Sequence, residues 1–456
     1  MSAPDPSPRP PAADARGQRF ALTGWRTEEG RAVFGFEDDR HGAFEEVVWF
    51  EDAPVPDAPD ARLSRLLDLV HVALGVSTYK LSAARRLDLP ALTPAGQAFA
   101  RRLYTDGLAE FFVRADLPYP PGTRIAFAGT EEPSGAAPHP GGGASLVAFG
   151  GGKDSYVARA LVAAAGETPR LASVVMADTV RDVLAATAPE PVTFLRRSLD
   201  RRMLAGDLSE PVFTGHVPIT AINTMVLTLY GRLTGTRAVV FANERSADEP
   251  TMSAGGIAAN HQDSKGSVME GLMADAVREA DPSAPAPFSV LRPYSEVWIA
   301  RAFAGLGPEP RARFTSCNRN FRLAGDAARR WCGACAKCAF TSLVMSPFLT
   351  EEEHLAAFGA RFLDAEALMA FDAELLGLTE TKPWDCVGTI AECRAALWRL
   401  SRHDAWSRSE AVRRFLPIVL ETTSEAALAS AWDDTLTPAP APNTPERYTE
   451  AARAWR

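Results

Sequence analysis

A chain that runs from a short apolar stretch into three consecutive glycines and then into a helix has few ways to fold, and residues 145–162 do this. Ser145 to Phe149 (S-L-V-A-F) suits a buried strand. Gly150, Gly151 and Gly152 strip every side chain from the turn that follows, and Tyr156 to Val162 has helical character. Strand, bare turn and helix N-terminus together aim backbone N–H groups at an anion. Glycine permits both a positive φ and the close approach of phosphate oxygens. Lys153 adds a point charge, and Ser155 a hydroxyl in the first helical turn. Asp154 would repel a bare phosphate, so it reads as a helix cap or as a ligand of a shared Mg²⁺. The spacing is too short for G-x-x-x-x-G-K-[ST], and G-x-G-x-x-G does not fit.

The strand pattern recurs at Leu171–Asp178, Pro191–Arg197 and Ala238–Glu244, with helical stretches at 156–165 and Ala221–Leu233 between. Near-continuous apolar strands alternating with helices predict an α/β fold, a parallel sheet with helices on both faces. Ligands then sit beyond the carboxyl ends of the strands, where Gly150–Ser155, Asp178, Thr179 and Asn243–Ser246 fall. Upstream, Phe20–Val48 reads as a small antiparallel sheet, and Arg62–Leu74 and Ala95–Val113 as helices. His71 lies in the first of these, where a packing role is expected. Gly75–Lys80 (G-V-S-T-Y-K) reads as a loop that either touches substrate or ends the helix. The expected organisation is a disordered Pro-rich tail (1–18), a small α+β module (19–128), a Gly/Pro-rich linker (129–144), a nucleotide domain with a cysteine knuckle (145–345) and a helical C-terminal region (346–456).

The 456 residues, 46% apolar and 23% charged, suit a soluble globular protein, and the net charge of −9 argues against a general nucleic-acid binder. No apolar run is long enough to span a bilayer, and the N-terminus lacks a secretory signal. A cytoplasmic protein with reduced thiols is the expectation, so its six cysteines read as metal ligands or reactive thiols. Cys332, Cys335 and Cys338 (C-x-x-C-x-x-C), with Cys317 ahead of them, predict a tetrahedral Cys₄ site. A structural Zn²⁺ suits it best, with an iron–sulfur cluster as the alternative. Arg319, Arg322, Arg329, Arg330 and Lys337 surround the knuckle and face either phosphates or solvent. His216 sits at the entry to the helix that Pro218 opens, where capping or packing explains it as well as catalysis does. Glu244, Arg245, His261 and Lys265 fall in two polar clusters flanking a glycine-bearing loop and could hold an anionic substrate and move a proton. Cys386 sits in a turn-rich stretch. Thiols serve as bases in cofactor-independent racemases, but a buried structural role is the expectation for it and for Cys393.

The glycine loop resembles the S-G-G-x-D-S loop of the PP-loop (N-type) ATP pyrophosphatases, with Gly150 where that pattern usually has Ser. The resemblance implies a Rossmann-like, HUP-like fold and a loop that grips the pyrophosphate leaving when ATP adenylates a substrate. Loop and knuckle together also resemble the deazaguanine nitrile synthases. The wider set, G-G-G-K-D-S, G-H-V-P-I-T-A-I-N, N-E-R-S-A, N-H-Q-x-S-K, W-C-G-x-C-x-K-C-A-F and K-P-W-D-C-V-G, is similar to the UDP-N-acetylmuramoyl-L-alanyl-L-glutamate epimerases over about Gly75 to Gly388. That implies conversion of the terminal L-Glu of a UDP-sugar dipeptide to D-Glu with ATP and Mg²⁺, through an acyl-adenylate, releasing AMP and pyrophosphate. Gly150–Ser155 and Asp178 would then serve ATP and Mg²⁺. His261 and His216 lead as the α-carbon base, with Lys265 and Cys386 behind. Arg245 would hold the γ-carboxylate or the UDP-sugar, with Glu244 beside it. Asp263 stands where an aromatic residue is expected. Two other readings are an amide-, nitrile- or thiolation-forming enzyme acting on a nucleobase or tRNA, which the acidic balance disfavours, and a nucleotide sensor without catalysis.

Overall fold

Adjacent residues of the central strands serve opposite cores, and this organises the molecule. Leu146 and Val239 pack with one buried cluster, and Val147 and Val240 with the other. A strand buried on both faces needs an unbroken apolar run, and side chains alternate across the sheet. The computed structural model describes residues 15–50, 52–136, 139, 141–208, 210–254, 257–321 and 330–455. Residues 1–14 of the expected disordered tail, and Arg322 and Arg329, lie outside them. Arg16 is already buried, its guanidinium bonded to the carbonyls of Ala83 and Pro121.

The strands are β1 (Arg19–Glu28), β2 (Arg31–Asp38), β3 (Gly42–Trp49), β4 (Arg86–Leu89), β5 (Arg124–Phe127), β6 (Ser145–Ala148), β7 (Pro169–Val175), β8 (Val192–Ser198), β9 (Ala238–Phe241), β10 (Met252–Ala254), β11 (Ile257–Ala259) and β12 (Pro287–Ser289). Ten form one sheet in the order β12-β9-β6-β7-β8-β3-β2-β1-β4-β5, and β10 pairs with β11 apart from it. From β12 to β8 every pairing is parallel. β3 then joins β8 antiparallel, with Val48 opposite Arg197, so the N-terminal meander continues the sheet of the nucleotide half.

The helices through the site region are α1 (Ala61–Tyr79), α2 (Pro94–Tyr104), α3 (Ala109–Arg114), α4 (Lys153–Ala164), α5 (Asp178–Thr187), α6 (Arg201–Ala205), α7 (Ile219–Thr234), α8 (Ser267–Ala280), α9 (Glu296–Ala304), α10 (Pro308–Arg313) and α11 (Ala336–Met345). The C-terminal region adds α12 (Glu351–Phe358), α13 (Glu366–Leu375), α14 (Ile390–Leu400), α15 (Glu410–Thr422), α16 (Glu425–Leu436) and α17 (Glu446–Arg453). Residues of α1, α7 and α8 cover one face of the sheet; those of α4, α9, α11 and the C-terminal helices cover the other.

Two local expectations change. Gly75–Tyr79 is helix rather than loop: Gly75 is a contact residue, where a Cβ would lie 2.5 Å from Tyr104 Oη, and Tyr79 is fully buried. The helix expected over Ala95–Val113 breaks at Thr105, whose hydroxyl bonds the carbonyl of Arg101 at 2.8 Å, and α3 begins only at Ala109. Glu110 lies on that second piece.

Candidate active site

A cavity of about 390 Å³ opens where β6, β7 and β9 end, lined by Gly150, Gly152, Asp154 and Ser155 on one side and by Lys265, Lys337 and Cys386 on another. The glycines have separable reasons. Gly151 has φ +75°, and a Cβ there would sit 3.0 Å from Thr187 Oγ1. A Cβ on Gly152 would lie 2.6 Å from Ser316 Oγ, whereas one on Gly150 would meet nothing. Gly151 and Gly152 thus let the loop pack on 315–316, and Gly150 leaves the cavity floor bare. Gly152 is the N-cap of α4 and has no side chain to cap with, so no side chain caps the helix start that borders the cavity.

Lys153 does not reach this cavity. Its side chain, 2% exposed, turns inward to Glu296 of α9 and to Asp154 Oδ1 at 2.5 Å. A lysine beside the sheet's apolar face can stay charged only with carboxylates at hand. Burial drives Glu296 up to about 8, against the pull of Lys153. Asp154 bonds Lys153 rather than capping α4, and it is the only carboxylate among the described residues lining the cavity. The cations on the cavity wall are instead Lys337 and Lys265. Asp178 is not at the cavity either: it is solvent-exposed at the start of α5, 3.7 Å from Arg181. Arg245 turns away, its guanidinium on the carbonyls of Thr437 and Asp434 at 3.3 and 3.4 Å, so it fastens the C-terminal region. Of the arginines around the knuckle, Arg330 bonds the carbonyls of Arg311 and Ala356.

The chemistry-bearing cluster centres on Cys386, for which sequence reasoning preferred a structural role. His261 and Lys265 are the two cations whose charge acts on its thiol. The Gln262 amide donates to the Val387 carbonyl at 2.9 Å and clamps the 260–265 segment against it. Lys337 holds the Cys386 carbonyl. Behind His261 stands Glu110, its Oε2 at 2.5 Å from His261 Nδ1 and 3.2 Å from His216 Nδ1. The row Cys386, His261, Glu110 is thus a thiol, an imidazole and an orienting carboxylate.

Burial would raise the Cys386 thiol, but Lys265 and then His261 outweigh it and bring it down to about 6. Burial would lower His261, but the sulfur and Glu110 lift it to about 10. Burial opposes the Lys265 ammonium as well, and Cys386 and Glu244 keep it charged above its ordinary range. His216, buried beside the charged His261, falls to about 4. Near neutrality the cluster holds a thiolate, an imidazolium and an ammonium, with His216 neutral. Glu244 is buried, and its Oε1 has no hydrogen-bond partner among the described residues. Asp263, in the place of the expected aromatic residue, pairs with Arg102 of α2, so it ties the segment to the N-terminal module.

Cys317, Cys332, Cys335 and Cys338 converge, all four sulfurs within 4.8 Å of one another. Two separations are 3.5 and 3.8 Å. A tetrahedron with metal–sulfur bonds of about 2.3 Å has edges of about 3.8 Å, so the four thiolates fit a four-coordinate soft metal. The knuckle also braces the loop. Thr315 N donates to Gly151 O at 3.0 Å, and Cys317 N donates to Thr315 Oγ1 at 3.3 Å.

Glu110 escaped the sequence reading as a site residue, Lys337 was read there as facing either phosphates or solvent, and Cys386 stood behind His261 and His216. Glu110 lies between apolar residues of a helix expected to be core, and Lys337 sits inside a metal motif. The one available signal was the company Cys386 keeps in K-P-W-D-C-V-G.

Residues 12–290 match the family described as MurL N-terminal domain, and residues 313–430 the one described as MurL C-terminal domain. No solved structure matches significantly. Proteins named UDP-N-acetyl-alpha-D-muramoyl-L-alanyl-L-glutamate epimerase are similar along nearly their whole length. The one from Salinispora tropica is 36% identical over 92% of each chain, and the one from Micromonospora sp. 37% over 92% of this chain and 94% of its own. That of Xanthomonas oryzae pv. oryzae is 34% identical over 87% of this chain and 88% of its own. With relatives at this identity over this much of the sequence, the chain belongs to the UDP-N-acetyl-alpha-D-muramoyl-L-alanyl-L-glutamate epimerase family.

Proposed function

We propose that the protein inverts the terminal L-Glu of UDP-N-acetylmuramoyl-L-Ala-L-Glu to D-Glu, using ATP to activate the α-carboxyl and the Cys386 thiolate to take the α-proton. The observation that carries this reading is the meeting, in one cavity, of an uncapped glycine-loop helix N-terminus with a cysteine flanked by Lys265 and His261.

An α-hydrogen beside a carboxylate is very weakly acidic, because its removal places a second negative charge next to the first. Attack of a carboxylate oxygen on the α-phosphorus of ATP gives a mixed anhydride and releases pyrophosphate. The anhydride carbonyl carries no charge and can take up the carbanion's electrons. The bare amides at 150–154 and the Lys337 ammonium favour the departing pyrophosphate. Asp154 is the cavity carboxylate suited to Mg²⁺, a hard ion that takes oxygen ligands and neutralises phosphate charge.

Cys386 removes the α-proton, becoming a neutral thiol. The proton that comes back enters from solvent on the other face of the carbon, away from Cys386, while the Lys265 ammonium beside the sulfur on the cavity wall favours the thiolate. The thiol then gives up its proton to solvent, and the neighbouring Lys265 charge restores the thiolate. His261, held by Glu110, keeps the sulfur ionised and oriented. Water then cleaves the anhydride, so that each turnover converts ATP and water to AMP and pyrophosphate. A Zn²⁺ in the Cys₄ site completes the reading as a structural clamp on the loop.

The direct test is incubation with ATP, Mg²⁺ and UDP-N-acetylmuramoyl-L-Ala-L-Glu in D₂O. The expected products are D-Glu-containing substrate bearing α-deuterium, AMP and pyrophosphate. Inversion that proceeds without ATP, or ATP cleavage without deuterium uptake, contradicts the scheme.

A further inference from the structure

A second cavity, about 510 Å³, lies between the C-terminal end of α1, β8 and the segment leading into α7. It abuts the active site: Ile219 lines both cavities, and Thr214 and Val217 of its wall bracket His216. We propose that this cavity holds the nucleoside diphosphate part of the substrate, with Lys80 and Arg197 gripping the diphosphate. The proposal rests on the function above and assigns its substrate's distal half.

Three features carry it. Arg197 is 2% exposed, its Nε and Nη2 taken by Glu46 at 2.9 and 2.8 Å, while among the described residues Nη1 has only the thioether of Met176, 3.6 Å away. Sulfur is a weak acceptor, so a buried guanidinium edge beside the cavity lacks a proper partner. Lys80 Nζ donates to the Gly215 carbonyl at 2.9 Å, the one partner it has among the described residues, and no carboxylate pairs with it. Glu210, the acid in the wall, is already paired with Arg40 at 2.8 Å, and Glu46 belongs to Arg197. One positive charge is therefore left uncompensated beside an open guanidinium edge.

Burial, and then the neighbouring Arg197, lower the Lys80 ammonium to about 8. A dianion between the two side chains would relieve that repulsion. Leu199, Met203, Leu208 and Phe213 supply an apolar wall for a sugar or base next to the phosphates. The G-V-S-T-Y-K stretch thus contacts substrate from a helix end: Ser77 accepts from Arg197 Nη2 at 2.6 Å, and Lys80 points at the diphosphate.

Titration of the full chain with UDP alone, without ATP, tests the site. The wild type should bind UDP, and Lys80→Met should weaken it at least tenfold, while affinity for adenosine 5′-(α,β-methylene)triphosphate stays within threefold. Arg197→Lys, which keeps a cation opposite Glu46 but removes the fork, should weaken UDP similarly. In turnover, Lys80→Met should raise KM for the UDP-dipeptide at least tenfold with kcat little changed. Failure of the wild type to bind UDP at millimolar concentration, or UDP binding unaffected in both variants, overturns the assignment. If Lys80→Met abolishes UDP binding in a protein that never inverts glutamate, the subsite stands and the proposed reaction falls.

Discussion

The Cys386 sulfur gathers its two cations from residues over 120 positions away, and its reactivity follows from that company rather than from its own burial. In the proposed scheme, removing the thiol removes the base. Cys386→Ala should reduce inversion by about 10³-fold or more, as losses of an essential proton-transfer group do, with a melting temperature close to wild type. Since the active form is the thiolate, with a folded-state value of about 6, the rate should rise through pH 6 and level off above it. Glu110→Gln keeps the shape but takes a negative charge from behind His261. The imidazolium should then weaken, the thiol should titrate higher, and the rising limb of the pH–rate profile should move to higher pH. An unchanged profile in Glu110→Gln would remove Glu110 from the account.

At the scale of elements, the glycine loop and the cysteine knuckle work as one unit, because 315–317 lies between them. Gly152→Ala places a methyl 2.6 Å from Ser316 Oγ and must displace that segment. It should lower ATP affinity at least tenfold, measured by titration with a non-cleavable ATP analogue, with UDP-sugar affinity little affected. Cys335→Ser should release one equivalent of zinc by elemental analysis. It should also weaken nucleotide binding, because Thr315 would lose its anchor under Gly151. Full metal content in Cys335→Ser would dissolve the proposed clamp.

Across the whole molecule, the N-terminal residues complete the site. They supply Glu110 and Lys80, and they join the sheet at β3–β8 with the buried pair Glu46–Arg197 across that seam. Glu46→Ala should cost about 3–5 kcal/mol in denaturant unfolding, because it strands a buried guanidinium. Burial lowers His71, held between Phe34 and Phe36, to about 4, and His354 likewise. Each binds its proton more readily unfolded, where its value is about 6.5, so each stabilises the fold fully above pH 6.5 and less as pH falls toward 4. Each should cost about 2 kcal/mol between pH 7 and pH 5, and His71→Gln should flatten the fall in melting temperature over that range.

What could be read from the sequence was what is local in it. The glycine loop, the strands around it and the four cysteines declare themselves within a few residues, because a bare turn and a metal knuckle need their parts close together. Long-range pairing could not be read. Lys153 meets Glu296 across the core, Arg245 turns to α16, and Asp178 stays at the surface, and nothing adjacent to them in sequence fixes these directions. Cys386 looked structural because a lone cysteine usually is; the role proposed for it depends on Glu110 and on the segment carrying His261 and Lys265, both distant in sequence.

The account stands most directly on separating activation from proton transfer in one variant. Cys386→Ala, given ATP, Mg²⁺ and the UDP-dipeptide in D₂O, should still exchange labelled pyrophosphate into ATP while placing no deuterium at the glutamate α-carbon. Deuterium uptake at the wild-type rate in that variant would contradict the claim that this thiolate carries the proton.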